Sequence, residues 1–155
     1  MAPDAGIKLR AEDAADLAVI SACLQDALVS VRDLAFDRDE RRFVLIANRF
    51  RWERNSTQAA KTSGHQRTLC GIAFAEVDGV AYRGFRRSEE DRILSLLAVQ
   101  LHEQGRVIEL DFSAGVSIRL AVARISCHAR DLGEPWPTAW QPDHAADDQP
   151  TGSRA

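Results

Sequence analysis

Residues 107–122 read VIELDF, SAG, VSIRLAV, two alternating runs joined by three residues of which the last is Gly115. Period-two alternation interrupted by a short glycine-bearing connection is the signature of a β-hairpin. Taking 113–115 as the loop sets Phe112 opposite Val116, Leu110 opposite Ile118 and Ile108 opposite Leu120, which makes one apolar face. Asp111 then opposes Ser117, and Glu109 opposes Arg119, so the other face is polar and carries a cross-strand pair of opposite charge. A slip of one residue would turn the whole apolar set toward water, so register, facing and polarity are specified together. A chain containing this segment is committed to an antiparallel sheet with one buried face.

Ile7 to Leu9 suggests a short first strand, and 11–28 is helical in pattern, with Leu17, Ile20, Leu24 and Leu28 at three-to-four spacing. Glu12, Asp13 and Asp16 fall where a helix dipole favours negative charge. Residues 29–36 are β-like, and RFVLIANRFRW follows as a strand whose centre, Phe43 to Ile46, is apolar at every position and so reads as buried on both faces. Residues 53–66 are small and polar without periodicity, and read as a flexible loop.

Strands resume through TLCGIAFAEV, where Asp78-Gly79 predicts a two-residue turn into VAYRGF. Residues 86–92 are a charged, solvated connection before the strand RILSLLAVQLH. Beyond Val122 the alternation loses phase, and Ile125, Ala129 and Leu132 suggest a short closing helix ended by Gly133. The fold class expected is α+β: a predominantly antiparallel sheet of six or seven strands curled into a barrel or sandwich, with an N-terminal helix and a short C-terminal helix. A pleckstrin-homology-like barrel is one candidate. The boundaries expected are a single domain over 1–142 and a disordered acidic tail over 143–155.

With 45% hydrophobic and 28% charged residues, the 155-residue chain has an ordinary globular composition. Its longest strongly apolar run, Ile93 to Val99, is far shorter than the roughly 20 residues a spanning helix needs, so no membrane segment is expected. The N-terminus lacks the charged and apolar regions of a secretory signal, which makes the cytoplasm the default compartment. Three cysteines without short spacing suggest neither a disulfide framework nor a metal knuckle, and no cofactor motif is present. Cys127 beside His128 is not the convergent geometry that nucleophilic catalysis requires, so no catalytic residue is assigned.

Charge is unevenly distributed. Residues 1–40 hold four basic and nine acidic side chains, whereas 41–67 hold seven basic side chains and only Glu53. Arg49, Arg51, Arg54 and Arg67, interleaved with Trp52, are therefore the candidate ligand- or partner-binding residues, since guanidinium forks suit phosphate and carboxylate. Alternation puts Arg49 and Arg51 on one strand face, read as solvated, with Phe50 and Trp52 on the other. Trp136 and Trp140, flanking Pro137, either fold back over an apolar patch or present a docking surface for a protein partner. The acidic balance, with a pI near 5.8, disfavours nucleic acid. The leading expectation is a non-enzymatic accessory or protein-interaction domain, which edge strands make compatible with a homodimer. An anion- or small-molecule-binding protein, with the basic segment 49–67 as its site and an unrecognised enzyme activity left open, is the alternative, and weak nucleic-acid binding the third.

The segments DLAVISACLQDALVSVRDLAFD, RRFVLIANRFRWE and LDFSAGVSIRLAVARISCHARDLG together resemble a family of uncharacterised proteobacterial proteins of about 150 residues. The resemblance covers most of residues 6 to 137. It implies a bacterial cytoplasmic protein with a domain of unknown function, and it carries over no catalytic residue.

Overall fold

The computed structural model describes residues 6–51 and 66–137, with 66 and 133–137 described through their backbone alone. Nine strands and one α-helix follow in the order β1 (Lys8–Ala11), α1 (Ala14–Cys23), β2 (Leu28–Asp37), β3 (Arg42–Phe50), β4 (Gln66–Phe74), β5 (Val77–Arg83), β6 (Ile93–His102), β7 (Val107–Phe112), β8 (Ser117–Val122) and β9 (Cys127–Pro137). Every neighbouring pair is antiparallel, in the order β1-β9-β4-β3-β2-β6-β7-β8-β5. The 107–122 hairpin has the register its alternation predicts, from Ile108 opposite Leu120 to Asp111 opposite Ser117. Ala114 and Gly115 take the positive φ angles, 64° and 74°, that turn the chain.

The sheet has two leaves that share one core. Inward side chains of the first leaf, Phe43, Leu45, Ile72, Phe74 and Ala129, join Leu96, Ile108, Leu110, Ile118 and Leu120 of the second in a single buried cluster. Strand β6 links the leaves, because Ile93–Ser95 pair with β2 and Leu96–His102 pair with β7. Where β6 leaves β2, α1 covers the exposed edge. Ser21 Oγ accepts the Val99 N–H at 2.9 Å, Leu17 and Ile20 are buried, and Asp13 caps the helix by accepting from the Asp16 N–H.

Strand β2 has a break of its own. Its register against β3 shifts between Val29 and Leu34, and the N–H groups of Val31 and Arg32 there donate to the carbonyls of Arg92 and Glu90. The 84–92 connection, whose stretch 86–92 reads in sequence as merely solvated, is therefore a strap that satisfies backbone groups the bulge would orphan. Arg87 reinforces it, donating to the Leu34 carbonyl at 2.7 Å and to the Tyr82 hydroxyl at 2.9 Å.

Four expectations are corrected. The sheet does not close into a barrel: β1 and β5 end the strand order unpaired with each other. No closing helix forms, because 127–137 is strand β9, inserted between β1 and β4. The chain turns at Ala75-Glu76, where Glu76 has a φ of 60°, while Asp78-Gly79 lies inside β5 at a register shift. Strand β3 is buried on one face only, since Val44 and Ile46 are 37% and 39% exposed.

Candidate functional site

On the inward face of β3, Phe43, Leu45 and Ala47 are followed by Arg49 and Arg51, and all five are buried. Alternation does group the two arginines, as their spacing predicts, but the sense is reversed: they point into the protein rather than to solvent. For Arg49 the reason is Asp131 on β9. Arg49 Nε donates to its Oδ1 at 2.8 Å and Arg49 Nη2 to its Oδ2 at 2.7 Å, a bidentate fork completed by the Ile7 N–H at 2.9 Å. Burial pushes the Asp131 carboxyl up, but the Arg49 hydrogen bonds, the Ile7 N–H and the charges of Arg49 and Arg51 outweigh it and hold the group below the usual range. The pair ties β3 and β9 to the residue that leads into β1.

Arg67 is also engaged. Its Nη1 donates to the Asn48 carbonyl and to Asn48 Oδ1 at 3.0 and 3.1 Å, and its guanidinium lies 5.7 Å from the Phe50 ring. Trp52, Arg54 and Trp140, and the 143–155 tail, lie outside the described residues. Trp136 pairs with Arg67 through the backbone of β9, and its side chain is likewise outside the description.

Cys127 and His128, adjacent in sequence, fall on opposite faces, the thiol buried and the imidazole exposed. Burial pushes the Cys127 thiol up to about 12, helped by nearby Cys70. Cys70 is likewise raised to about 12, by burial and then by the Asp131 charge. Both are protonated at neutral pH, which leaves them poor nucleophiles. No cluster of three or more His, Cys, Asp or Glu among the described residues is placed to hold a metal ion.

The open chemistry lies on the reverse side of the first leaf. Register sets Ile46 beside Gly71 and Gly71 beside Arg130, and in the next outward row Val44 beside Ala73 and Ala73 beside His128. Because β4 presents only Gly71 and Ala73 between the larger side chains of β3 and β9, the face is hollowed into a trough of about 340 Å³. A second hollow of about 140 Å³ continues it toward Leu28, Leu69 and Ile93, sharing Asp33 and Ile46 with the first. The apolar run Phe43 to Ile46 was the available signal. Its outward half is an exposed apolar surface rather than a second buried face.

The second leaf carries a charged outer face instead. Asp111 and Glu109, two residues apart on β7, interact directly. Burial, then hydrogen bonding and repulsion from Glu109, raise the Asp111 carboxyl to about 6. Glu109 is held low by the hydrogen bond from Asp111, against its burial, with help from His102 and Arg119. His102 Nε2 lies 2.7 Å from Glu109 Oε1, and Arg119 spans Glu103 and Glu109. The folded chain therefore binds a proton that the unfolded chain releases, and this site loses stability as pH rises from about 4 to about 6. Asp111→Asn keeps a donor toward Glu109 without the charge, so urea unfolding is expected to show a gain of about 1 kcal/mol at pH 8, with solvent exposure reducing the figure. At pH 4 the gain is expected to vanish; an equal gain at both pH values would reject the shared proton.

Comparison with known proteins adds a family. The family model described as "Protein of unknown function (DUF2948)" matches residues 7–144, nearly the whole described fold. No curated protein and no solved structure matches the chain.

Proposed function

Because the chain belongs to the DUF2948 family, whose description assigns no activity, its own geometry is the guide, and we propose that it is a non-enzymatic binding domain working through the outer face of β3, β4 and β9. The observation that carries this reading is the trough. Val44, Ile46 and Leu69, with Leu132 beside them, are 37 to 39% exposed on adjacent strands, a contiguous apolar surface of the kind that marks binding sites. The alternative built on the basic segment has less support, since Arg49 and Arg51 are consumed by the interior and Arg67 by Asn48.

A neutral solvatochromic dye such as Nile red tests the reading. The wild-type protein is expected to bind it with a blue-shifted emission. Ile46→Glu, an exposed substitution that puts a charge in the trough floor, is expected to weaken binding at least about tenfold while leaving the far-UV spectrum unchanged. Undiminished binding by a folded Ile46→Glu variant would place the apolar site elsewhere and reject the proposal.

A further inference from the structure

We propose that the trough selects an apolar chain ending in a carboxylate, an inference that rests on the binding reading above and adds the chemical class of the ligand. Its flank on β9 and β1 is cationic. His128 and Arg130 project outward on β9, and the register sets Arg10 directly beside His128 and Lys8 directly beside Arg130 on the same face. Arg10 is offset by Glu12, at 3.4 Å, but Lys8 and Arg130 form no ion pair with any described residue.

A bound carboxylate is thus drawn to the β9 end of the trough, which orients it. From the β9 end, the floor over Gly71, Val44 and Ile46 is apolar, and the smaller hollow beyond it adds Leu28, Leu69 and Ile93 beside the polar Ser30 and Asn48. Head and tail requirements are met at separate ends of one continuous depression, the arrangement that recognises an amphiphile rather than a simple anion or an oil. A fork such as Arg130 suits a carboxylate through two parallel hydrogen bonds.

The experiment is competition of three amphiphiles of equal chain length, decanoate, decanol and decyltrimethylammonium, against bound Nile red at low ionic strength. Decanoate is expected to compete about tenfold better than either of the others, the factor one charge-assisted hydrogen bond supports at a partly exposed site. The double variant Lys8→Gln/Arg130→Gln is expected to lose that preference, read as the ratio of decanoate to decanol competition against the Nile red affinity measured for that same variant, and raised salt is expected to erode it. Equal competition by all three overturns the carboxylate inference and leaves the binding reading standing. So does a preference that survives in the double variant, because the charge would then be read elsewhere. Failure of the folded wild-type protein to bind Nile red or any amphiphile overturns both.

Discussion

Removing the Asp131 carboxylate is expected to be among the most damaging single changes in the molecule. Asp131→Leu strands the Arg49 guanidinium, fully buried, without its bidentate acceptor, and leaves the Ile7 N–H without one as well. Breaking a buried ion pair from one side costs about 3–5 kcal/mol, because the surviving charge remains desolvated. Arg49→Met should cost less, for a reason visible in the site: Asp131 also feels the charge of buried Arg51, which persists in that variant and partly compensates the carboxylate. The double variant Arg49→Met/Asp131→Leu is expected to recover most of the loss, apart from about 1–3 kcal/mol for the orphaned Ile7 N–H, so a double-mutant cycle in urea should show strong coupling. The pH dependence has a definite sign. The Asp131 carboxyl is depressed in the folded state, so its contribution is present above the unfolded value of about 4 and is lost as pH falls through the folded one. The gap between wild type and Asp131→Leu should therefore be full at pH 7 and narrow in acid; additive single-variant effects would show that the pair is not coupled.

This same pair accounts for much of what local pattern reading missed. The β7–β8 hairpin was legible to the residue because its inward positions are all apolar and its outward positions are polar except for the Val107 and Ala121 pair. In β3 the alternation is equally regular, yet Arg49, and Arg51 just past the strand's end, are buried, and residue type alone assigns them outward. In β9 the inward set is Cys127, Ala129 and Asp131, and the acidic third member breaks the apolar period so that Ile125, Ala129 and Leu132 mimic a helical stripe. Each error is the other's explanation: the partner that makes Arg49 acceptable in the interior lies 82 positions away, beyond the reach of any window. The trough was hidden for a related reason. Gly71 and Ala73 look like core residues in sequence, and only their register between Val44, Ile46 and β9 turns small size into a depression. The Ala75-Glu76 corner uses a non-glycine residue at positive φ, which left Asp78-Gly79 as the more persuasive but incorrect turn.

The corner opposite that pair yields the second large effect. Gly84, with a φ of +86°, ends β5 against the loop of the β7–β8 hairpin, and a Cβ there would sit 2.6 Å from the Gly115 oxygen and 3.0 Å from Val116 Cα. Both obstacles are backbone, so no rotamer change relieves them. An alanine also bears about 1–2 kcal/mol for the left-handed conformation itself, and with the clash Gly84→Ala is expected to cost about 3 kcal/mol. Two sibling substitutions separate the causes. Gly115→Ala, at +74° with open space around it, should cost only the conformational part, about 1 kcal/mol. Gly79→Ala, with no atom within 4 Å and no positive φ, should be neutral or slightly stabilising. If the three were equal in urea unfolding, close packing of β5 on the hairpin loop would not be the determinant. The ranking matters for the fold because the Gly84 carbonyl also accepts from Arg92 Nη1 at 3.1 Å, at the start of the strap that satisfies β2. Displacing Gly84 should therefore loosen the β2 bulge as well as β5, and hydrogen exchange at Val31 and Arg32 is expected to quicken in Gly84→Ala and stay unchanged in Gly79→Ala.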